Sequence, residues 1–294
     1  MSAFKKSGPL RDREPVILID KRRRESYLVL KSGKTHNLNG NVLVHDEMIG
    51  LEDGGRVESR KGNAFKVFRA TLQHFLLHMP RYATIIYPKD IAAILMHGDI
   101  GLGAKVVEGG FGSGALSLSL LRAIGAEGQL STYELREESI TCAQRNIELF
   151  LGGAAPQHTV HHRDIYEGIE EEGVDRVVLD VPEPWRVVGH AADCLVDGGL
   201  FVAYLPTTLQ VYELVKALRD HPAMYTTSSL EIMERPWHVT EESSRPEHRM
   251  VGHTGFLVFS RRSARWDARD GASQQHKSIA QEQEDAQREA ENTL

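Results

Sequence analysis

A chain of 294 residues, 41% hydrophobic and 26% charged, has the length of about two globular domains. No apolar run reaches the roughly 18 residues of a membrane span, and the opening MSAFKKSGPLRDREP lacks the apolar stretch of a secretory signal, so no membrane partner is expected. The two cysteines, Cys142 and Cys194, stand far apart, which argues against a disulfide framework and fits a reducing cytosol, while the net charge of −6, taken whole, argues against a nucleic-acid partner.

To about residue 80 the chain reads as short strands: VILID (16–20), SYLVL (26–30), NVLVH (41–45) and AFKVFRA (64–70). Turn clusters such as Lys31-Ser32-Gly33-Lys34 and Glu52-Asp53-Gly54-Gly55 separate them. Short strands at this spacing predict a small barrel or sandwich. The pattern changes at Tyr87-Pro88-Lys89-Asp90, where Pro88 suits a helix start and IAAILMHG (91–98) has helical apolar spacing. Strands and helices then alternate. The strands are AKVVEGG (104–110), QLSTYEL (129–135), TVHHRD (159–164), VDRVVLDV (174–181) and GLFVAYLP (199–206). The helices are ALSLSLLRAIG (115–125), EESITCAQRNIELFLG (137–152), about 185–195, and TLQVYELVKALRD (208–220), and strand-like segments at 227–233 and 254–260 follow. Alternation of this kind predicts an α/β fold with a mostly parallel sheet and helices on both faces. The expected organisation is a small β domain over 1–80, an α/β domain over 81–262, and a disordered or loosely helical tail over 263–294, whose apolar content is too low to fold alone.

Glu108-Gly109-Gly110-Phe111-Gly112-Ser113-Gly114 follows a strand and opens a helix. Glycines there admit a ligand close to the backbone, and the helix N-terminus offers unpaired N–H groups. A dinucleotide could place its pyrophosphate on this turn, and Gly110, Gly112 and Ala115 satisfy the relaxed dinucleotide fingerprint. S-adenosylmethionine could place its amino-acid end there instead. Glu108 tips the choice: a carboxylate repels a pyrophosphate and attracts a sulfonium or ammonium. Glu134 ends the second strand, where an acid accepts the ribose hydroxyls of an adenosine. Asp164 ends the third, where it could accept from the adenine amino group or simply begin a loop.

Asp180 lies at the carboxyl end of a central strand, the edge where open α/β sheets bind ligands. Val181-Pro182-Glu183-Pro184-Trp185 follow it, and the prolines preset a rigid turn that would hold the acid in one orientation.

In combination, these strings resemble the tRNA adenine-58 N1-methyltransferases. The matching pieces are IIYPKDIAAIL (85–95), VVEGGFGSGALSLSL (106–120), VVLDVPEPW (177–185), GGLFVAYLPTTLQV (198–211), ERPWHV (234–239) and RPEHRMVGHTGFLVFSRR (245–262), and the likeness spans about residues 15–262. Gly109 departs from the Ala common in the family, and Pro182 from a larger apolar residue in many bacterial members. The resemblance implies a Rossmann-like methyltransferase domain with a small N-terminal β domain, a homotetramer, a cytoplasmic location, S-adenosyl-L-methionine as donor and N1 of one adenine in the tRNA T-loop as acceptor. It further implies that Asp180 holds the target adenine and that Tyr87 and Tyr204 line the base pocket. Glu108, Gly110, Gly112, Ser113, Gly114, Ala115, Leu116, Glu134 and Asp164 would contact the cofactor, with Asp180 beside them. The chemistry suits these residue types. Adenine N1 carries a lone pair and no proton, so no strong base is needed, and a carboxylate accepting from the exocyclic amine stabilises the charge that develops. The base is buried in folded tRNA and must be extruded into the pocket, where aromatic rings can stack on it.

Other features weigh less. His74 and His78 have helical spacing without a third ligand, so a helix face is expected there rather than zinc. His161 and His162 point to opposite faces of a strand. Trp237 and His253 could shape the pocket mouth or pack in the core. An oxidoreductase using a nicotinamide cofactor, a non-catalytic RNA-binding subunit and a methyltransferase acting on another substrate are the rival functions. The charge is divided unevenly: residues 1–80 carry +6 and the remainder −12, with a basic run Lys21-Arg22-Arg23-Arg24 in the first part. That division restores a phosphate-contacting surface to the N-terminal β domain.

Overall fold

The computed structural model describes residues 8–264, so the tail expected over 263–294 lies outside the described residues from 265 onward. The N-terminal part contains β1 (Pro15–Ile19), β2 (Glu25–Val29), β3 (Thr35–Leu38), β4 (Asn41–Val44), β5 (Gly55–Glu58) and β6 (Ala64–Arg69). Four of these form an antiparallel sheet in the order β2-β1-β6-β5, and β3 pairs β4 in a separate hairpin. The sheet therefore stays open where a barrel or sandwich was expected. Its edge strands, β2 and β5, do not pair with each other. One face buries Val16, Leu18, Leu28, Val57, Phe65 and Val67 against Leu43 and Met48. Tyr27, opposite Ile17 on the other face, packs on the core of the following unit and stacks on His78 at 4.8 Å between ring centroids.

The chain passes into helix α1 (Leu72–His78), which carries His74 and His78 as their spacing predicts and is started by a capping box in which Thr71 accepts from the His74 N–H. Then follow α2 (Pro88–His97), β7 (Lys105–Gly109), α3 (Ala115–Ile124), β8 (Gln129–Glu134), α4 (Glu137–Leu151), β9 (His158–His162), β10 (Val174–Leu179), α5 (Val188–Cys194), β11 (Leu195–Leu205), α6 (Thr208–Asp220), β12 (Met224–Glu231), β13 (Trp237–Val239), β14 (Ser244–Pro246) and β15 (Phe256–Arg262). The expected helix over 185–195 is divided: a 3-10 turn covers Pro184–Val187 before α5 begins.

Among the described residues, seven strands build the main sheet in the order β12-β15-β11-β10-β7-β8-β9. Neighbouring strands from β9 across to β11 are parallel, whereas β15 runs antiparallel to both β11 and β12. Successive side chains on a strand face opposite ways, and the core divides accordingly. Val106, Val178, Val202 and Leu257 meet α2, α3 and α4 on one face. Val107, Val177, Phe201 and Val258 meet α5 and α6 on the other. The result is a Rossmann-like α/β layer. Its antiparallel β15 departs from the all-parallel 3-2-1-4-5-6 order of dinucleotide folds. Strand order reverses between β7 and β10, and the carboxyl ends there open the crevice where such sheets bind ligands.

Candidate active site

The turn after β7 is shaped by contacts that allow no side chain. Gly110 has φ +90°, and a Cβ there would stand 2.3 Å from the Asp180 carbonyl oxygen. Gly114 has φ +85° and lies against Ala143 of α4, which a Cβ would approach to 3.0 Å. Gly112 is left-handed but faces open space. Gly109, the departure noted above, has Ile165 and Leu179 methyls where a Cβ would point, 2.7 Å away. Because Gly114 occupies the N-cap, no side chain caps α3, and the N–H groups of Ala115 and Leu116 have no partner within the helix.

The Ser113 hydroxyl is engaged with the preceding segment. It accepts from the Tyr82 and Ala83 N–H groups at 3.0 and 3.1 Å and donates to the Ala83 carbonyl. Buried Asn146, unremarked in the sequence, donates to the carbonyls of Pro80 and Ser113 at 2.8 and 3.0 Å. Together they clamp segment 80–83 and α4 to the glycine turn.

Three acids crowd the turn. Glu108 is fully buried. Its Oε2 accepts from Ser117 Oγ at 2.6 Å and Thr132 Oγ1 at 2.7 Å, while Oε1 has no hydrogen-bond partner. Burial pushes its pKa up to about 8; the two hydroxyls pull down, and the charges of Asp180 and Glu134 push further up. Glu134 Oε2 accepts long bonds from the Phe111 and Gly112 N–H groups, 3.2 and 3.3 Å, and Oε1 accepts from Arg136. Asp180 follows β10, anchored by its N–H to the Gly109 carbonyl at 2.8 Å. Its side chain stays open to water on one side, yet protein crowds the others. That desolvation, with Glu134 nearby, raises its pKa toward about 7, and the open face tempers the shift. A buried oxygen without a donor and three adjoining carboxylates, of which, among the described residues, only Glu134 has an arginine, fit a ligand bearing positive charge. The donor set therefore suits S-adenosylmethionine and suits a pyrophosphate poorly.

The loop after Asp180 is held from two sides. Tyr166 Oη accepts from the Glu183 N–H at 2.9 Å, and Gln210 Nε2 donates to the Pro182 carbonyl at 3.0 Å. Asp164 Oδ1 accepts from the Tyr166 N–H at 3.0 Å, capping the short turn that carries Tyr166. One of its oxygens is thereby engaged in loop formation.

Tyr204, near the end of β11, donates its hydroxyl to the Thr254 carbonyl. Its ring occupies the space beside Gly255, where a Cβ would sit 2.5 Å from Cζ. Burial pushes its pKa up to about 12, and Asp90, Asp180 and Tyr87 are all close enough to add to the shift. Tyr87, the N-cap residue of α2, and Asp180 thus both lie within electrostatic reach of Tyr204. Lys89, Asp90 and Thr254 pack behind the tyrosines; YPKD and GHTGF were legible as strings, but their mutual contact was not.

The remaining candidates divide between this neighbourhood and the surface. Trp237 is 57% exposed, on the β13–β14 hairpin rather than in the core. His253 bridges Glu231 and the Pro206 carbonyl. Lys21, Arg22 and Arg23 are exposed on the β1–β2 turn, while Arg24 pairs with Asp20. Among the described residues no group of His, Cys, Asp or Glu is placed to hold a metal, and no helix is long and apolar enough to cross a membrane.

Residues 65–244 match the family model described as tRNA methyltransferase complex GCD14 subunit, and residues 8–57 match one described as TrmI-like N-terminal. The chain is 39% identical over 251 residues to the tRNA (adenine(58)-N(1))-methyltransferase TrmI of Thermus thermophilus, covering 84% of this chain and 96% of the relative. Its fold resembles a solved S-adenosylmethionine-dependent O-methyltransferase of Thermotoga maritima, with TM-score 0.81, 31% identity, and 88% and 96% of the two chains covered. It also resembles the tRNA (m1A58) methyltransferase TrmI of Aquifex aeolicus, with TM-score 0.76, 28% identity, and 87% and 100% covered.

The buried acid sets a pH dependence. A carboxyl whose pKa is higher in the folded chain binds its proton more tightly there. Stability is then lost as pH rises from the unfolded value of 4.5 towards about 8. Glu108→Gln removes that dependence. Melting temperatures of ligand-free protein should fall with rising pH more steeply for the wild type than for Glu108→Gln. Parallel curves for the two would contradict the burial of an ionisable group at this position.

Proposed function

The chain belongs to the tRNA (adenine-58-N1)-methyltransferase family, and we propose that it transfers a methyl group from S-adenosyl-L-methionine to N1 of adenine 58 in the T-loop of tRNA, forming N1-methyladenosine. The observation that carries the reading is the convergence of Asp180, Tyr87 and Tyr204 beside a glycine turn ringed by carboxylates. Bound at that turn, S-adenosylmethionine supplies an electrophilic methyl group on a positively charged sulfur.

The protein's own residues divide the remaining work. Gly110, Gly112 and Gly114 leave the backbone approachable, and the Ala115 and Leu116 N–H groups offer donors. Ser113 contributes by fixing the turn. Glu108 presents its unpartnered oxygen to positive charge. Glu134 takes the ribose hydroxyls; its bonds to the Phe111 and Gly112 N–H groups, at 3.2 and 3.3 Å, are the long ones that a hydroxyl displaces most easily. Asp164 keeps one oxygen for the adenine end of the cofactor. Asp180 accepts from the exocyclic amine of the target base. Ionised, it opposes the positive charge that grows there as N1 gains its methyl. Tyr87 and Tyr204 stack on the extruded base and fix its angle of approach. No residue needs to remove a proton before transfer, because N1 has none.

The N-terminal β domain, to about residue 80, is the proposed tRNA-contacting surface, supported by its charge of +6 and the exposed Lys21, Arg22 and Arg23. A cytoplasmic location is supported by two unpaired cysteines. A homotetramer is supported by the exposed Trp237, Val239, Met250 and Val251 around the β13–β14 hairpin, apolar surface that a second copy would cover.

Incubation of unmodified tRNA with labelled donor, followed by nucleoside analysis, should yield N1-methyladenosine at position 58. Label in another nucleoside, or on an oxygen acceptor, would refute the assignment. Asp180→Ala should lower turnover by about 10²-fold or more, with S-adenosylhomocysteine affinity changed much less; unaltered turnover would remove Asp180 from its role. Charge reversal at Lys21, Arg22, Arg23 and Arg24 should weaken tRNA binding and flatten its salt dependence while cofactor affinity holds. Unchanged tRNA affinity would move the RNA surface elsewhere.

A further inference from the structure

We propose that Lys89, Asp90 and Thr254 form a buried positioning unit that sets Tyr87 and Tyr204 against the target base. The proposal rests on the base-pocket reading above. Asp90 is fully buried, and the Lys89 side chain is only 9% exposed. The ammonium has three protons and finds three acceptors: Asp90 Oδ1 at 2.7 Å, the Ile232 carbonyl at 2.7 Å and Thr254 Oγ1 at 2.5 Å. Thr254 Oγ1 in turn donates to Asp90 Oδ2 at 2.7 Å. Both carboxylate oxygens and all three ammonium protons are thus used.

A buried ion pair adds little net stability, because desolvation offsets the attraction. What a fully satisfied network does supply is one allowed geometry. Here it joins three segments far apart in sequence: the first turn of α2, the residue after β12, and the stretch before β15. Two of these segments hold a pocket tyrosine directly. The Asp90 N–H donates to the Tyr87 carbonyl at 2.9 Å, and the Thr254 carbonyl accepts the Tyr204 hydroxyl. Gly255 leaves room for the Tyr204 ring to reach that carbonyl. His253 fastens the same stretch to Pro206, two residues past Tyr204. Displacing the Thr254 hydroxyl therefore shifts both rings together, since each is tied to one side of the network.

The test separates positioning from loosening. Thr254→Val keeps the volume and removes the hydroxyl; Thr254→Ser keeps the hydroxyl. With tRNA as acceptor, Thr254→Val should lower kcat roughly tenfold to hundredfold, the cost of a misplaced reacting group, while S-adenosylhomocysteine affinity stays within roughly twofold. Thr254→Ser should restore kcat. In a Tyr204→Phe background, Thr254→Val should cost less than in the wild type, because only the Tyr87 side of the network is left to shift. Tyr204→Phe alone should reproduce most of the kcat loss and serves where Thr254→Val does not fold. Equal losses of kcat and cofactor affinity, or additive losses in the double variant, would overturn the proposal. Fluorine spectra of 3-fluorotyrosine protein, assigned through Tyr→Phe variants, add a readout independent of tRNA. Thr254→Val should move both the Tyr87 and Tyr204 signals. If they move while the wild type methylates no tRNA, the acceptor assignment fails and the positioning unit stands. If they do not move, the unit fails.

Discussion

The site depends on carboxylates held together without a matching number of cations. Glu108, Glu134 and Asp180 gather where β7, β8 and β10 end, and among the described residues only Glu134 has an arginine beside it. Like charges in a partly dry crevice are costly, and the protein manages that cost in separate ways. Ser117 and Thr132 hydroxyls hold one oxygen of Glu108, and burial keeps that group protonated to about pH 8. Backbone N–H groups and Arg136 hold Glu134. Asp180 keeps one side in water. The glycine turn makes this crowding possible, because Gly110 lets its backbone rest on that of Asp180.

A second consequence comes from strand direction. β15 runs antiparallel beside β11, with Leu205 opposite Phe256. That pairing brings the start of β15, preceded by His253, Thr254 and Gly255, to the carboxyl end of β11. An added parallel strand would have placed its other end there. The antiparallel insertion therefore delivers a backbone carbonyl to Tyr204 and a hydroxyl to the Lys89–Asp90 pair.

Most of the α/β unit was legible because its strands and helices carry strong, distinct periods. The turn 108–114 was legible too, since glycines after a buried strand have a mechanical reason to be there. What could not be read was short or cooperative. The β13–β14 hairpin has too few residues to carry a period. The open N-terminal sheet depends on which strand edges meet, and strand spacing carries no information about that. Glu108, Glu134 and Asp180 were identified individually, but the missing partner of Glu108 Oε1 required coordinates. Ser113 was expected among the ligand contacts from its place in the loop, whereas its hydroxyl lies with Tyr82 and Ala83. Trp237 was weighed as pocket mouth or core, and its exposure removes the core alternative. The Lys89–Asp90–Thr254 network joins residues more than 160 positions apart, beyond the reach of any local pattern.

The central claim is that this crevice selects a positively charged methyl donor through carboxylates, one of which is protonated before binding. Calorimetry of S-adenosylmethionine binding near pH 7, repeated in buffers of different ionisation enthalpy, tests it most directly. Binding should release protons, because a cation beside Glu108 lowers a pKa that stands near about 8 without it. Binding without proton release, or tight binding of NADH in place of S-adenosylmethionine, would contradict the account.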